Sequence, residues 1–340
     1  MEIVEGYLEQ NKDFFQFLTQ VSDRTGKKNT LIWNKNIKEN SHLFKDTGWA
    51  CPVLQDVDRN KTAVIMGASP AIRKQASTLW ELQSDKDFVL CGLSSNLEWL
   101  LNNDIHPKYC ITVDADVSQG EYWDNIDMNK TKDITLIAST LAYPPMLKKW
   151  KGPLYFIALC SDDKKTLKKH KKYYGENLNG NGQEFPSLMG QFNIMTAFSV
   201  IVLGCQIIIF VGNELSYATK DSTYYVGRSD ARDNERGGKQ GDIFGNIVET
   251  TPGLFALKLS LERFLETISG IGWFFNCTEA GIFGVTKRYE GNRVPWIHQM
   301  YLKAGIKQAR TIMKGEKPIT YVSSGNTLKM PDLSGGFNNE

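Results

Sequence analysis

Asp114 and Asp116 stand on alternate positions immediately after the apolar run Tyr109 to Val113. Carboxylates at that spacing suit a hard divalent cation bridging diphosphate oxygens. They equally suit a plain turn, with Asp116 capping the next turn of chain and Asp114 accepting loop amides. Gly67-Ala68-Ser69-Pro70 closes another apolar run. A small-residue turn feeding a helix can present backbone amides and the Ser69 hydroxyl to a phosphate; it also reads as an N-cap serine with proline in the first helical position. Gly92-Leu93-Ser94-Ser95-Asn96 offers hydroxyl and amide groups to a base or ribose, or a Ser95 helix cap. Gly212-Asn213-Glu214-Leu215-Ser216-Tyr217 sets an amide and a carboxylate at the mouth of an apolar strand. Glu214 there is poorly placed for packing and well placed for a substrate hydroxyl. Asn276-Cys277-Thr278-Glu279-Ala280-Gly281 is a further polar cluster after a strand, a site or a solvated turn.

The elements that must position these groups alternate regularly. From Thr62 the chain reads as strand Ala63 to Met66, helix Pro70 to Leu82, strand Phe88 to Cys91, helix Ser95 to Leu101 and strand Tyr109 to Val113. Strands Ile134 to Ala138, Leu154 to Leu159 and Ile207 to Val211 continue the series, with helices near Pro145 to Trp150, Ser161 to Tyr174 and Leu188 to Val202. Strand and helix at this pitch give βαβ units, a mainly parallel sheet and an α/β fold with helices on both faces. Ligands of such sheets bind outside the carboxyl ends of the strands, which is where all five polar clusters fall.

The chain divides into four segments. Residues 1–60 form a cap or adaptor, with an amphipathic helix around Tyr7 to Leu18 and an extended piece Thr30 to Trp33; 61–290 hold the catalytic unit; 291–328 are helical from about Trp296 to Met313; 329–340 form a disordered tail. Within the catalytic unit, 214–245 read as a mobile polar loop, succeeded by a strand or hairpin Ile243 to Glu249, a helix opened by Thr251-Pro252 and a strand Trp273 to Asn276.

Composition narrows the function classes. With 40 basic and 38 acidic residues the net charge is +2, which argues against a nucleic-acid binder. Six cysteines without CxxC or metal-type spacing read as reduced thiols and favour the cytoplasm. Phe185 to Asn213 lacks charge, but a helix, a Gly204 turn and a buried strand account for it better than a membrane span. Neither GxxxxGK[ST] nor GxGxxG occurs, so P-loop chemistry and the usual nicotinamide fingerprint have no support. The lysine run Lys164 to Lys172, with His170, reads as a solvated helix face.

These residues, in this order, resemble the bacterial motility-associated factor glycosyltransferases and the wider domain family named after the archaeal 6-hydroxymethylpterin diphosphokinase. The likeness covers about residues 62–285. It rests on Val64 to Pro70, on Asn102-Asn103-Asp104-Ile105-His106-Pro107 with the strand to Asp114, on Leu203-Gly204-Cys205 with Val211 to Tyr217, similar to the family's LGC…VGQDLAY, and on Asn276 to Gly281, similar to its NATEGG. Ala68-Ser69-Pro70 reverses the family's Pro-Ser order, Asn213-Glu214 replaces Gln-Asp, and Ala280 replaces a glycine. The resemblance implies a Rossmann-like core related to bacterial sialyltransferases. In one branch it implies transfer of a nonulosonic acid from a CMP-sugar to a protein or glycan hydroxyl. In the other, diphosphate passes from ATP to a pterin alcohol with Mg.

The expectation is a glycosyltransferase using a CMP-activated sugar. Gly67 and Ser69 hold phosphate, Ser95 and Asn96 the nucleoside, and Asn213, Asn276, Thr278 and Glu279 line the same pocket. Glu214 or a nearby residue takes the acceptor's proton, and Asp114 and Asp116 bind metal or orient the sugar. The alternatives are the diphosphokinase and a non-catalytic nucleotide-binding relative.

Overall fold

A run of apolar residues with no alternation needs burial on both faces, and a sheet between two helix layers supplies it. The computed structural model describes residues 31–160, 164–217, 226, 238–286 and 293–316. Its strands are β1 (Thr62–Met66), β2 (Phe88–Leu93), β3 (Tyr109–Thr112), β4 (Thr135–Ser139), β5 (Leu154–Ile157), β6 (Ile207–Val211), β7 (Gly238–Gly241), β8 (Ile247–Thr250), β9 (Trp273–Asn276) and β10 (Ile297–Gln299). Eight of them form one sheet, ordered β10-β9-β6-β1-β2-β3-β4-β5, with every pairing parallel.

The helices are α1 (residues 31–44), α2 (Ala50–Leu54), α3 (Ala76–Leu82), α4 (Leu97–Asn102), α5 (Pro144–Lys149), α6 (Lys164–Tyr174), α7 (Gln191–Ile201), α8 (Pro252–Thr267) and α9 (Leu302–Met313). Successive residues of β1 serve opposite layers, as the two-residue period of a strand requires. Ala63 and Ile65 pack with Cys91, Phe210 and the α7 residues Met195 and Phe198. Val64 and Met66 pack with Ile209, Leu79 of α3 and Ile306 of α9. A third cluster joins β4 and β5 to α1, α5 and the rings of Trp123, Trp150 and Tyr174.

The parallel α/β expectation is met, and several local ones change. Leu31 to Trp33 are helical, in a helix that sinks Ile37 completely into the third cluster. The segment from Trp296 opens as β10 before turning into α9, because it completes the sheet beside β9. Ile243 to Glu249 contributes only the second strand of an antiparallel pair, β8 against β7. The helix read as starting at Pro70 begins with a 3-10 turn, Pro70–Gln75. On α6 the lysines do face outward, yet His170 is wholly buried and not part of a solvated face. The helix read around Tyr7 to Leu18, most of the 214–245 loop and the terminal dozen lie outside the described residues.

The six cysteines are free thiols, and four of them are buried. Burial pushes the thiols of Cys51 and Cys205 up to about 12, so neither is a thiolate at neutral pH. Phe185 to Asn213 resolves into α7, a left-handed Gly204 and β6. Among the described residues no helix is long and apolar enough to cross a membrane.

Strand order fixes where a ligand can sit. From β1 the chain lays down β2, β3, β4 and β5 in sequence on one side, then crosses back to place β6 on the other. The order therefore reverses between β1 and β6, and that switch point at the carboxyl edge is where sheets of this kind take their ligands.

Candidate functional site

Two glycines meet at that switch point. The Gly67 N–H donates to the Val211 carbonyl at 2.8 Å, and the Ser69 N–H to the Gly212 carbonyl at 3.0 Å, so β1 and β6 stay paired past their ends. A Cβ on Gly67 would collide with the Gly212 carbonyl, and Gly212 itself has φ +63. Only glycine permits this approach of two backbones.

Around the glycines the predicted residues form one hydrogen-bonded network. Glu214, 5 % exposed, accepts the Ala71 N–H on Oε1 at 2.6 Å, and its own N–H donates to Ser69 Oγ at 3.3 Å. Burial pushes its carboxyl above the usual carboxylate range, against the opposing pull of the Ala71 amide, the Ser69 hydroxyl and Lys74. Asn96 spends both Nδ2 hydrogens on the carbonyls of Met66 and Gly67, each at 2.8 Å, and its Oδ1 accepts the Leu93 N–H. It thereby braces the ends of β1 and β2 to each other, while Ser95 beside it is half-buried. The Asn213 N–H donates to Thr278 Oγ1 at 3.2 Å, whereas Asn213 Nδ2 is buried and finds no acceptor among the described residues.

The β9 cluster closes the far wall. Asn276 is fully buried: its Nδ2 donates to Gln299 Oε1 and the Phe283 carbonyl, and its Oδ1 accepts the Thr278 N–H. Glu279, at φ +59, accepts the Leu302 N–H at the start of α9 and the Gln75 Nε2. Gln75 Nε2 also donates to the Cys277 carbonyl, tying the 3-10 turn after β1 to the turn after β9.

Asp114 and Asp116 sit along the same edge, past β2, and both are exposed. Asp116 caps the 3-10 helix Val117–Trp123 by accepting the Ser118 N–H at 2.8 Å. Asp114 Oδ2 accepts from Gln191 Nε2 at 2.6 Å. Gln191 also accepts from the Ser94 N–H and hydroxyl, which joins Asp114 to the end of β2. Each aspartate thus faces an N–H donor, and no group of three or more metal-ligating side chains occurs among the described residues. That donor set does not fit a cation held by the protein alone.

Sequence reasoning missed the residues that hold this edge together. Asn36 and Asn40, one turn apart on α1, point their amides at loop carbonyls. Asn36 Nδ2 donates to Ala115 and Leu141, and Asn40 Nδ2 to Thr140 and Ala142. The i, i+4 spacing was the available signal. The Tyr143 N–H, donating to the Asp114 carbonyl, completes the stitching of the β3 and β4 loops. A cavity of about 540 Å³ lies at the opposite edge, lined by Lys61, Ile207, Trp273 and His298, away from all of these groups.

Residues 34–220, more than half of the chain, match the family model for 6-hydroxymethylpterin diphosphokinase MptE-like proteins. The chain belongs to this family. The match opens inside α1, just before Asn36, and ends just past the Gly212 to Tyr217 turn, so the MptE-like unit takes in the stitched loops as well as the switch point. Among solved structures, this MptE-like chain is similar to the Maf glycosyltransferase from Magnetospirillum magneticum AMB-1. The identity is 12 % and the TM-score 0.56, over 84 % of this chain and 42 % of that one. The MptE-like chain therefore spans less than half of that protein, and the likeness is one of fold. A search of curated proteins returned no match.

Proposed function

We propose that this MptE-like chain is a glycosyltransferase that takes a CMP-activated sugar of the nonulosonic type and passes it to a hydroxyl acceptor on a protein or glycan. The observation that carries the reading is the β1/β6 switch point, where Asn213, its backbone N close to Gly67, keeps a buried Nδ2 without an acceptor among the described residues. A buried amide donor left unmatched is costly unless a ligand oxygen completes it. The resemblance to the motility-associated factors and the fold shared with the Maf glycosyltransferase supply the reaction class.

In this reading the Gly67 turn and Ser69 face the donor phosphate, and Ser95, next to Asn96, faces the nucleoside. Glu214 is buried with its carboxyl on the Ala71 N–H, so the exposed Asp114, and not Glu214 as the sequence suggested, accepts the proton of the acceptor hydroxyl as the hydroxyl oxygen bonds the anomeric carbon. The bond from that carbon to the phosphate oxygen breaks, and CMP leaves with the electron pair. Glu214 keeps the β1 and β6 turns in register, and Asn276, Thr278 and Glu279 form the wall behind Asn213. The transfer proceeds by proton removal and positioning, with no step assigned to a metal.

The family description favours a second reading, diphosphate transfer from ATP to a pterin alcohol with Mg. One assay separates the two. The protein is incubated with a CMP-nonulosonic acid, or with ATP and 6-hydroxymethyldihydropterin, with and without chelator, and nucleotide release is monitored. CMP release that survives chelation supports the glycosyltransferase. AMP release that needs both the pterin and Mg overturns it.

A further inference from the structure

The side-chain amide of Gln191 has one orientation that its neighbours permit. The Ser94 N–H, which bonds the Ile111 carbonyl at 2.9 Å, also faces Gln191 at 3.2 Å; it can only donate, so the Gln191 atom there is Oε1, which the Ser94 hydroxyl bonds at 2.9 Å. The amide nitrogen is then turned toward Asp114 Oδ2, at 2.6 Å. Ser94 is itself fixed: it is fully buried, and its carbonyl accepts the indole N–H of the buried Trp123 at 3.3 Å. Gln191 is the first residue of α7 and is 8 % exposed, whereas Asp114 is exposed. A buried, fully oriented donor therefore grips a carboxylate that solvent and ligand can reach. A charge-assisted contact of this kind constrains geometry more than a neutral one.

We propose that Gln191 is a positioning residue, which holds the Asp114 side chain in the rotamer from which it receives the acceptor's proton. This rests on the nucleotide-sugar reading above. Gln191 touches no reacting atom: it acts through Asp114. Misplacing a reacting group by about 1 Å costs on the order of 100-fold in rate. Loss of the grip is therefore a kcat effect, and the donor's KM, set at the β1/β6 switch point, stays nearly constant.

The test is a double-mutant cycle in the full chain with Gln191→Met, Asp114→Asn and the pair. Methionine keeps the length and apolar fit of glutamine while removing both hydrogen-bonding ends. The expected result is a fall in kcat of about 10- to 100-fold for Gln191→Met, with donor KM changed less than about threefold. In the Asp114→Asn background the same substitution changes kcat less than about threefold. An equal loss in both backgrounds, or a loss confined to KM, overturns the proposal. The same four proteins are melted, because melting needs no substrate. Should the wild type turn over no nucleotide-sugar, the function reading fails, and the melting cycle alone decides the grip. Non-additive melting temperatures for Gln191 and Asp114 uphold it, and additive ones overturn it.

Discussion

The carboxylate of Glu214, after β6, accepts the backbone N–H of Ala71, after β1, at 2.6 Å across the point where strand order reverses. The turns of the two central strands are thus locked by a buried acid whose own burial resists ionisation. Burial and hydrogen bonding oppose each other in this group.

Glu214→Gln separates the two. The folded-state pKa is raised, so protonation favours the fold at low pH, and that contribution is lost as pH rises through the folded value. Glutamine keeps an acceptor for Ala71 without the buried charge. At pH 8 the Gln variant is expected to melt at or above wild type, with its advantage shrinking toward pH 4. Glu214→Ala leaves the Ala71 N–H unmatched and costs about 1–3 kcal/mol. Calorimetry from pH 4 to 8 checks both, and a Gln variant as unstable as the Ala variant at pH 8 refutes the account of this contact.

Gly67→Ala and Gly212→Ala each set a Cβ against the backbone of the other strand's turn, which cannot swing aside as a side chain can. A loss of about 2–4 kcal/mol is expected in urea unfolding. A loss below about 0.5 kcal/mol would mean that the strand ends part more readily than so close an approach allows.

Asp58 carries the opposite pH signature. Its buried carboxylate accepts from Lys61 and Lys108 and from the Tyr109 hydroxyl at 2.7 Å. Burial raises its pKa, but the contacts from Lys108, Tyr109 and Lys61 outweigh it, and the net direction is downward. A lowered folded pKa gives stability that is present above the ordinary carboxylate value and lost as pH falls through the folded one. Asp58→Asn is expected to cost about 1–3 kcal/mol at pH 7, with the gap from wild type closing below pH ~4. A gap that does not change with pH would contradict the ion-pair origin.

Asn36→Leu removes the tie between α1 and the carbonyls of Ala115 and Leu141. Faster amide exchange is expected at Tyr143, whose N–H bonds to the Asp114 carbonyl, with a stability loss of about 1–3 kcal/mol. Unchanged exchange at Tyr143 would show that the β3 and β4 loops hold themselves.

The sheet was legible because its strands are continuously apolar, as Ile207 to Val211 shows at a glance. The carboxyl-edge clusters were legible from the polar residues that end those runs. Their braces were not. Asn36 and Asn40 show in sequence only as an i, i+4 pair, and nothing local says that their face meets the loops after β3 and β4. Gln191 hid inside a charge-free stretch read as core, and its role needs Ser94 and Asp114, 97 and 77 residues away. β10, three residues long, is too short for a period-two pattern and merged with the amphipathic α9 just beyond it.

The central claim is that the β1/β6 switch point binds a nucleotide, and melting the protein with CMP, CDP, UDP or ATP tests it most directly. A ligand at about 100 times its Kd adds about 2.7 kcal/mol to the folded state. CMP is predicted to raise the melting temperature by a few degrees and to lose most of that effect in Asn213→Ala. No shift with any of the four nucleotides would contradict the account.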